Sequence, residues 1–195
     1  MGCVNGKHNL KFLNSENLEF LKSYTSYDED TIKEMHKSFL IDCPTGQLTP
    51  DKFIDLYKMF IWRGNAEQYC EHVFRTFDTD QNGVIDFEEF LLAMYVTSAG
   101  TAEEKLTWAF RMYDVDANGV IDPEEMSKVV QSIYGMLCED GTDPMSTADE
   151  RARKIFRRMD KNGDGQLTEE EFLRGCLEDD ELSKLLAPNL VEKSG

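Results

Sequence analysis

The fold is decided by one stretch of twelve residues, Asp78-Thr79-Asp80-Gln81-Asn82-Gly83-Val84-Ile85-Asp86-Phe87-Glu88-Glu89. Its oxygen-bearing side chains alternate along the first half, a glycine follows, and a glutamate closes it. This arrangement matches the calcium-loop pattern D-x-[DN]-x-[DN]-G-x5-E at every fixed position. The same pattern recurs at 114–125 and at 160–171. Three full matches are far beyond chance at ordinary residue frequencies, so we expect the chain to bind calcium.

The spacing of these residues follows from the ion. Calcium takes about six to eight oxygens, and the loop of an EF-hand supplies them from alternate positions, one main-chain carbonyl and a closing bidentate glutamate. We expect three calcium ions, with magnesium able to occupy the loops when calcium is low. The predicted ligands are Asp78, Asp80, Asn82, the Val84 carbonyl, Asp86 and Glu89; Asp114, Asp116, Asn118, the Val120 carbonyl, Asp122 and Glu125; and Asp160, Asn162, Asp164, the Gln166 carbonyl, Thr168 and Glu171.

An upstream copy of the same motif has lost its ligands. Aligning Gly46 with the loop glycines puts Ile41 at the first position, Cys43 at the third and Lys52 at the twelfth. An ammonium at the twelfth position repels calcium, whereas Thr49-Pro50 still predicts the start of a helix. We therefore number four hands along the chain, and we expect the first to be folded and free of metal.

The loops also predict where helices begin. Asp86, Asp122 and Thr168 are good N-cap residues, and each is followed three positions later by the closing glutamate, as in a capping box. An isoleucine or leucine before each cap suits a short strand contact between paired loops. We predict an all-α fold of four EF-hands in two pairs, with short antiparallel β contacts between paired loops. The N-terminal pair falls in residues 1–96, and the C-terminal pair with a C-terminal helix falls in 101–195.

Composition narrows the class of protein. Among 195 residues, 38 acidic side chains outweigh 21 basic ones, and the formal charge of −17 argues against nucleic acid as a partner. No apolar run is long enough to span a bilayer, and the N-terminus does not resemble a signal peptide. The five scattered cysteines indicate reduced thiols of the cytoplasm. No nucleophile–base pair or phosphate-binding glycine loop is present, so we do not expect an enzyme.

The first residues, Met1-Gly2-Cys3-Val4-Asn5-Gly6-Lys7, suggest lipidation. Removal of Met1 would free Gly2 for N-myristoylation, although Gly6 stands where the motif usually has serine or threonine. Cys3 beside it is a candidate for a palmitoyl group. Two chains would anchor the protein stably, whereas a single myristoyl chain binds membranes reversibly.

The first half is rich in aromatic residues, and these have two interpretations. Their ordinary role is to form a core. However, sensor EF-hands open when they bind calcium and expose an apolar groove. We predict that the groove is lined by Phe39, Phe53, Tyr57, Phe60 and Trp62.

Four stretches carry a resemblance to a known family. They are Cys43-Pro44-Thr45-Gly46, Glu71-His72-Val73-Phe74-Arg75-Thr76-Phe77-Asp78, Val96-Thr97-Ser98 and Lys105-Leu106-Thr107-Trp108-Ala109-Phe110. From about Leu13 to Leu186 the chain resembles the neuronal calcium sensors, the family of recoverin, neurocalcin, hippocalcin, the visinin-like proteins and the guanylate-cyclase-activating proteins. The resemblance implies myristoylation at Gly2, a groove for a helix of an effector and, in several members, calcium-driven release of the lipid.

Three functions remain open at this point. The first is a membrane-reversible calcium sensor that regulates a membrane-associated effector through an amphipathic helix. The second is a passive calcium buffer of the parvalbumin type, which lacks an acylated glycine and opens little. The third is a phosphatase regulatory subunit like that of calcineurin, which keeps all four loops competent, unlike Ile41–Lys52 here. We expect the sensor, cytoplasmic and reversibly membrane-associated, as a monomer or weak dimer.

Overall fold

The computed structural model describes residues 12–59, 66–137 and 144–179, together with positions 182 and 186. Within these residues each hand consists of two helices around a loop. The helices are α1 (Ser15–Tyr24), α2 (Glu29–Asp42), α3 (Pro50–Lys58), α4 (Glu67–Phe77), α5 (Phe87–Ala99), α6 (Ala102–Tyr113), α7 (Pro123–Leu137), α8 (Pro144–Met159) and α9 (Glu169–Leu177); the strands are β1 (Val120–Ile121) and β2 (Leu167–Thr168). The hands are α2–α3, α4–α5, α6–α7 and α8–α9, which confirms the predicted fold class.

Side-chain caps start the helices that leave the loops. The Asp86 carboxylate accepts a hydrogen bond from the N–H of Glu89, and the Glu89 carboxylate accepts one from the N–H of Asp86. The same reciprocal pairing is present at Asp122–Glu125 and at Thr168–Glu171. A cap of this kind satisfies N–H groups that the first turn leaves unpaired, and it contributes about 0.5–2 kcal/mol to the stability of a helix. The predicted capping boxes are confirmed.

Loops pair through short antiparallel contacts, as predicted. In the second half Val120 pairs with Thr168, and Ile121 pairs with Leu167. In the first half a single bridge joins Leu48 to Ile85, with N–H···O distances of 2.8 and 2.9 Å in the two directions. Leu48, Ile85, Ile121 and Leu167 are all buried. Because these apolar side chains lie in the core, the backbone contact between the two loops of each pair is held in place by packing.

The two halves of the chain touch along α4. This helix belongs to the second hand, yet it packs against α6 and α7 of the third hand. Phe77 at its end meets Trp108 of α6 edge-on, with ring centroids 5.5 Å apart. Since α5 continues to Ala99, only Gly100 and Thr101 separate it from α6. The short connection and the packed joint place the second loop close to the third hand.

Segments near both chain termini contribute to the core. Helix α1 lies against α2 and α5 and buries Leu18 and Leu21. Near the C-terminus, Leu182 and Leu186 of the predicted C-terminal helix are both buried. No helix within the described residues combines the length and the apolar character needed to cross a bilayer.

Candidate functional site

Carboxylates converge in the second loop. One oxygen from each of Asp78, Asp80 and Glu89 lies within 4.8 Å of the others. Asp78 is only 7% exposed, and its two oxygens accept hydrogen bonds from the N–H groups of Asn82 at 3.0 Å and Gly83 at 2.8 Å. These bonds hold the carboxylate inside the loop. Several carboxylate oxygens facing one point is the arrangement that a hard cation such as calcium requires.

The third loop repeats this geometry with Asp114, Asp116 and Glu125, whose carboxylate oxygens also lie within 4.8 Å of one another. Asp114 and Glu125 are 8% and 5% exposed. Like charges withdrawn from water repel one another strongly unless a cation compensates them. The arrangement therefore fits a bound divalent cation.

The closing glutamate ties the start of a loop to the helix that leaves it. Glu125 Oε1 accepts hydrogen bonds from the N–H groups of Val115 at 2.9 Å and Asp116 at 3.1 Å, while Oε2 accepts one from Asp122 at 2.9 Å. Glu89 makes the corresponding bonds in the second loop. Burial raises the pKa of Glu89, since these N–H donors only partly offset the loss of water.

The fourth loop is more open than the other two. Asp160 Oδ1 and Oδ2 accept hydrogen bonds from the N–H groups of Gly163 and Gly165, so the turn itself is formed. However, Thr168 replaces the aspartate of the other loops, and its hydroxyl donates to Glu171 Oε2 at 3.0 Å. Within the described residues, the convergence of three carboxylates occurs only in the second and third loops. The fourth loop has fewer carboxylates at its predicted ligand positions, and they converge less closely than in the other two loops.

The first loop keeps the shape of an EF-hand loop, but its first, third and twelfth positions carry no side-chain oxygen that could bind calcium. Gly46 adopts a φ of 78°, and its N–H donates to the Cys43 carbonyl at 2.8 Å, so the turn survives. Helix α2 continues to Asp42, and Ile41 at the first position is 79% exposed. Burial, together with Asp42, raises the pKa of Cys43, which keeps this position a neutral thiol. Lys52 occupies the twelfth position.

Backbone geometry sets a further condition in the loops. The fourth position of each of the second, third and fourth loops is left-handed, and in the third loop it is Ala117 with a φ of 58°. Gly119, two residues later, has a φ of 88°. A side chain at such a φ costs roughly 1–2 kcal/mol, so the glycine avoids a strain that Ala117 accepts.

A cavity of about 360 Å³ lies beside the first and second hands. Phe39, one of the residues predicted for the groove, lines it, and Met35, Leu48, Leu56 and Phe90 complete the apolar wall. The rim is polar and partly acidic, with Thr31, Glu34, Ser38 and Asp42, whereas Cys43 is a buried part of the lining. Helical periodicity assigns Met35, Phe39, Leu56 and Phe90 to apolar helix faces, but it does not separate the wall of a cavity from the core.

The other predicted groove residues divide into two sets. Phe53 and Tyr57 are not part of the cavity lining and belong to an aromatic cluster between α3 and α4, where Phe53 contacts Phe74 and Phe77 edge-on and the ring centroid of Tyr57 lies 6.0 Å from that of Tyr69. Two predicted groove residues, Phe60 and Trp62, and the two predicted lipidation sites, Gly2 and Cys3, lie outside the described residues.

Comparison with known proteins shows similarity along most of the chain. Residues 44–97 and 103–177 each match a family model described as an EF-hand domain pair. Neuronal calcium sensor 1 of Lymnaea stagnalis is 44% identical over 169 residues, which cover 86% of this chain and 88% of that protein. The Aplysia californica protein of the same name is 45% identical over 169 residues, with the same coverage. Human recoverin is 38% identical over 178 residues, or 89% of each chain. With two EF-hand pairs, converging loop carboxylates and this similarity, the chain belongs to the neuronal calcium sensor family.

Proposed function

We propose that this protein is a calcium sensor that binds three ions and opens an apolar groove for a helix of a membrane-associated effector. One observation carries the proposal: the closing ligand of the second loop, Glu89, is followed directly by Phe90, which lines the cavity. Calcium held by Glu89 would fix the first helical residues of α5, and release of the ion would free them to turn. The wall of the cavity moves with them.

A second connection joins the same loop to the same cavity. Ile85, in the second loop, forms the β-bridge with Leu48, and Leu48 is part of the cavity wall. The bridge is a fixed point, because both side chains are buried. Rotation of α5 about this point would move Phe90 relative to Leu48. A passive buffer has no need of such a connection between ligand and cavity.

The number of ions follows from the donor sets. The second and third loops each bring three carboxylates together, and the fourth offers Asp160, Asp164 and Glu171 in a loop that is already folded. We assign one calcium to each, with the fourth the weakest and magnesium able to occupy the loops at low calcium. The first loop offers a hydrocarbon, a thiol and an ammonium, and we assign it no ion. A calcineurin-type regulatory subunit, with four competent loops, fits less well.

The rim of the cavity indicates the kind of partner. Glu34 and Asp42 stand beside apolar walls, so an amphipathic helix with basic residues flanking its apolar face would match both features. Myristoylation at Gly2, with Cys3 as a second lipidation site, would bring the protein to the membrane where that effector lies. A single acyl chain gives marginal and reversible binding, which suits a switch. We propose no catalytic activity.

Native mass spectrometry tests the ion count. At about 10 µM free calcium, above a Kd of about 1 µM, the wild-type chain should hold three ions, and each of Glu89→Gln, Glu125→Gln and Glu171→Gln should hold two. A fourth ion in the wild type would mean that the first loop binds metal. Only two ions would mean that the fourth loop does not bind metal at these concentrations.

An apolar fluorescent dye tests the sensor. Dye fluorescence should rise with calcium in the wild type, and Glu89→Gln should remove most of the rise even at calcium levels that fill the third loop. Glu88→Gln is the matched control, because it removes one charge from the same turn. If calcium binds and no apolar surface appears, the protein is a buffer rather than a sensor.

A further inference from the structure

The last turn of α4 carries an arginine that reaches out of its own hand. Arg75 Nη2 donates a hydrogen bond to the carbonyl of Met112, and Nη1 donates to the carbonyls of Asp114 and Val115, each at 2.7 Å. Throughout the part of the chain that the structure describes, the hydrogen-bond partners of this guanidinium are main-chain carbonyls of the third hand. One side chain of the second hand is therefore hydrogen-bonded to the end of α6 and to the start of the third loop.

The peptide groups that Arg75 contacts belong to the backbone that orients the residues of the third site. Asp114 supplies the first ligand, and the N–H of Val115 donates to Glu125 Oε1 at 2.9 Å. Carbonyls at the end of a helix lack partners within it, and bonds from a charged donor are stronger than neutral ones. Arg75 thus holds the backbone that carries the side chain of Asp114 and the N–H of Val115, which is a hydrogen-bond donor to Glu125.

The other end of this contact belongs to the second site. Arg75 lies three residues before Asp78, the first ligand of the second loop, and Phe77 between them packs on Trp108. A change in α4 when the second loop fills would therefore be transmitted to the third loop through one guanidinium and one ring pair.

We propose that Arg75 is a positioning residue that couples the second and third calcium loops across the joint between the two halves. The inference rests on calcium binding at these two loops, which is part of the proposed function. The inference adds the residue that transmits the effect of calcium from one loop to the other. By reciprocity, calcium in either loop raises the affinity of the other by the same factor.

The chain contains its own control for this residue. Arg111 and Arg157 stand at the same position relative to Asp114 and Asp160, three residues before the first ligand of their loops. Both are exposed, and Arg157 Nε donates to the Arg153 carbonyl of its own helix. Arg111→Met therefore changes the same residue type at the same repeat position without touching the joint.

Charge and hydrogen bonding can be separated at Arg75. Burial lowers the pKa of its guanidinium, and the nearby Asp114, Glu125 and Asp116 oppose that effect, so the group remains a cation near the third site. Arg75→Lys keeps the charge, but a lysine presents one compact ammonium in place of the planar fork that spans several carbonyls. If geometry carries the coupling, the lysine variant loses it as the methionine variant does.

The experiment follows two glycine amides by NMR during calcium titration. The N–H groups of Gly83 and Gly119 donate to the first ligands of the second and third loops, at 2.8 and 2.9 Å, so each reports its own loop. The half-saturation of Gly83 is measured with the third loop intact and with Glu125→Gln. The ratio of the two values is the coupling factor, determined in wild type, Arg75→Lys, Arg75→Met and Arg111→Met.

We expect a coupling factor of about 5–10 in the wild type and in Arg111→Met, within the usual range for linked sites. It should fall below about 2 in both Arg75 variants. An unchanged factor in the Arg75 variants, or no coupling in the wild type, overturns the inference and leaves Arg75 as a cap of α6. If Arg75→Met does not fold, the Arg75→Lys spectrum decides. If Gly83 or Gly119 does not respond to calcium in the wild type, the proposed function fails instead.

Discussion

Replacing Glu125 by glutamine tests the energetics of the third loop. Three N–H groups donate to its carboxylate, two to Oε1 and one to Oε2. An amide keeps one acceptor oxygen, so at least one N–H would face an NH₂ group and lose a charge-assisted bond of about 1.5–3 kcal/mol. Loss of one negative charge relieves repulsion from Asp114 and Asp116. Without calcium, the net loss of stability should be about 1 kcal/mol.

With calcium present the loss should be larger. At 1 mM free calcium and a Kd of about 1 µM, in the range of sensor EF-hands, one site adds about 4.1 kcal/mol to the free energy of unfolding. Loss of half the bidentate ligand and one charge should weaken binding about 100-fold or more, which leaves a contribution of about 1.4 kcal/mol. The calcium-dependent part of the stability should therefore fall by about 2.7 kcal/mol.

Urea unfolding in chelator and in 1 mM calcium gives both numbers. Glu124→Gln is the control, because this exposed residue lies in the same turn and removes the same charge; its calcium-dependent loss should stay below about 0.5 kcal/mol. If Glu125→Gln retains the full calcium increment, Glu125 is not a ligand. If Glu124→Gln loses as much, the effect is one of total charge.

The other predictions concern pH, the membrane and the cavity. Burial, with the charges of Arg75 and Lys128, lowers the pKa of His72 from 6.5 to about 4, so the folded state favours the neutral ring and stability should fall as pH drops from about 6.5 towards 4. In chelator, between pH 7 and pH 5, the wild type should lose about 1 kcal/mol more than His72→Gln after allowance for solvent at this half-buried ring; equal losses would contradict it. Wild type should bind liposomes more with calcium than with chelator, and Gly2→Ala should bind in neither; equal partitioning refutes lipidation there. Phe90→Ala should weaken binding of an amphipathic helix while leaving calcium stoichiometry unchanged, and parallel loss of calcium would place Phe90 in the core that supports the loop.

Local features of the fold were accessible from the sequence because they depend on residues close together in the chain. The capping box needs only Asp86 and Glu89 three positions apart, and the loop bridge needs an apolar residue at one fixed position, as in Leu48 and Ile85. The defect of the first hand is local too, since Lys52 falls at the twelfth position of its loop. These patterns predict the four hands and their pairing.

The cavity required the three-dimensional packing. Phe39 and Phe53 have the same chemistry and are both buried, yet Phe39 lines the cavity whereas Phe53 is absent from its lining and packs against Phe74. Which face of α3 or α5 meets a neighbour depends on contacts between residues far apart in sequence. Phe90 is part of the cavity wall because of the same long-range packing, which its position in the sequence does not reveal.

What the sequence by itself determined is the order of the oxygen-bearing side chains in the three loops, because the calcium-loop pattern depends only on positions within twelve residues. It also placed an arginine three residues before each of these loops, and in the repeat Arg75, Arg111 and Arg157 are equivalent. Only the tertiary structure distinguishes them. Helix α4 packs against the third hand, so Arg75 meets carbonyl groups there, while the other two arginines face water. A side chain's role at a joint depends on which helices pack together, and that is decided by burial of the whole core.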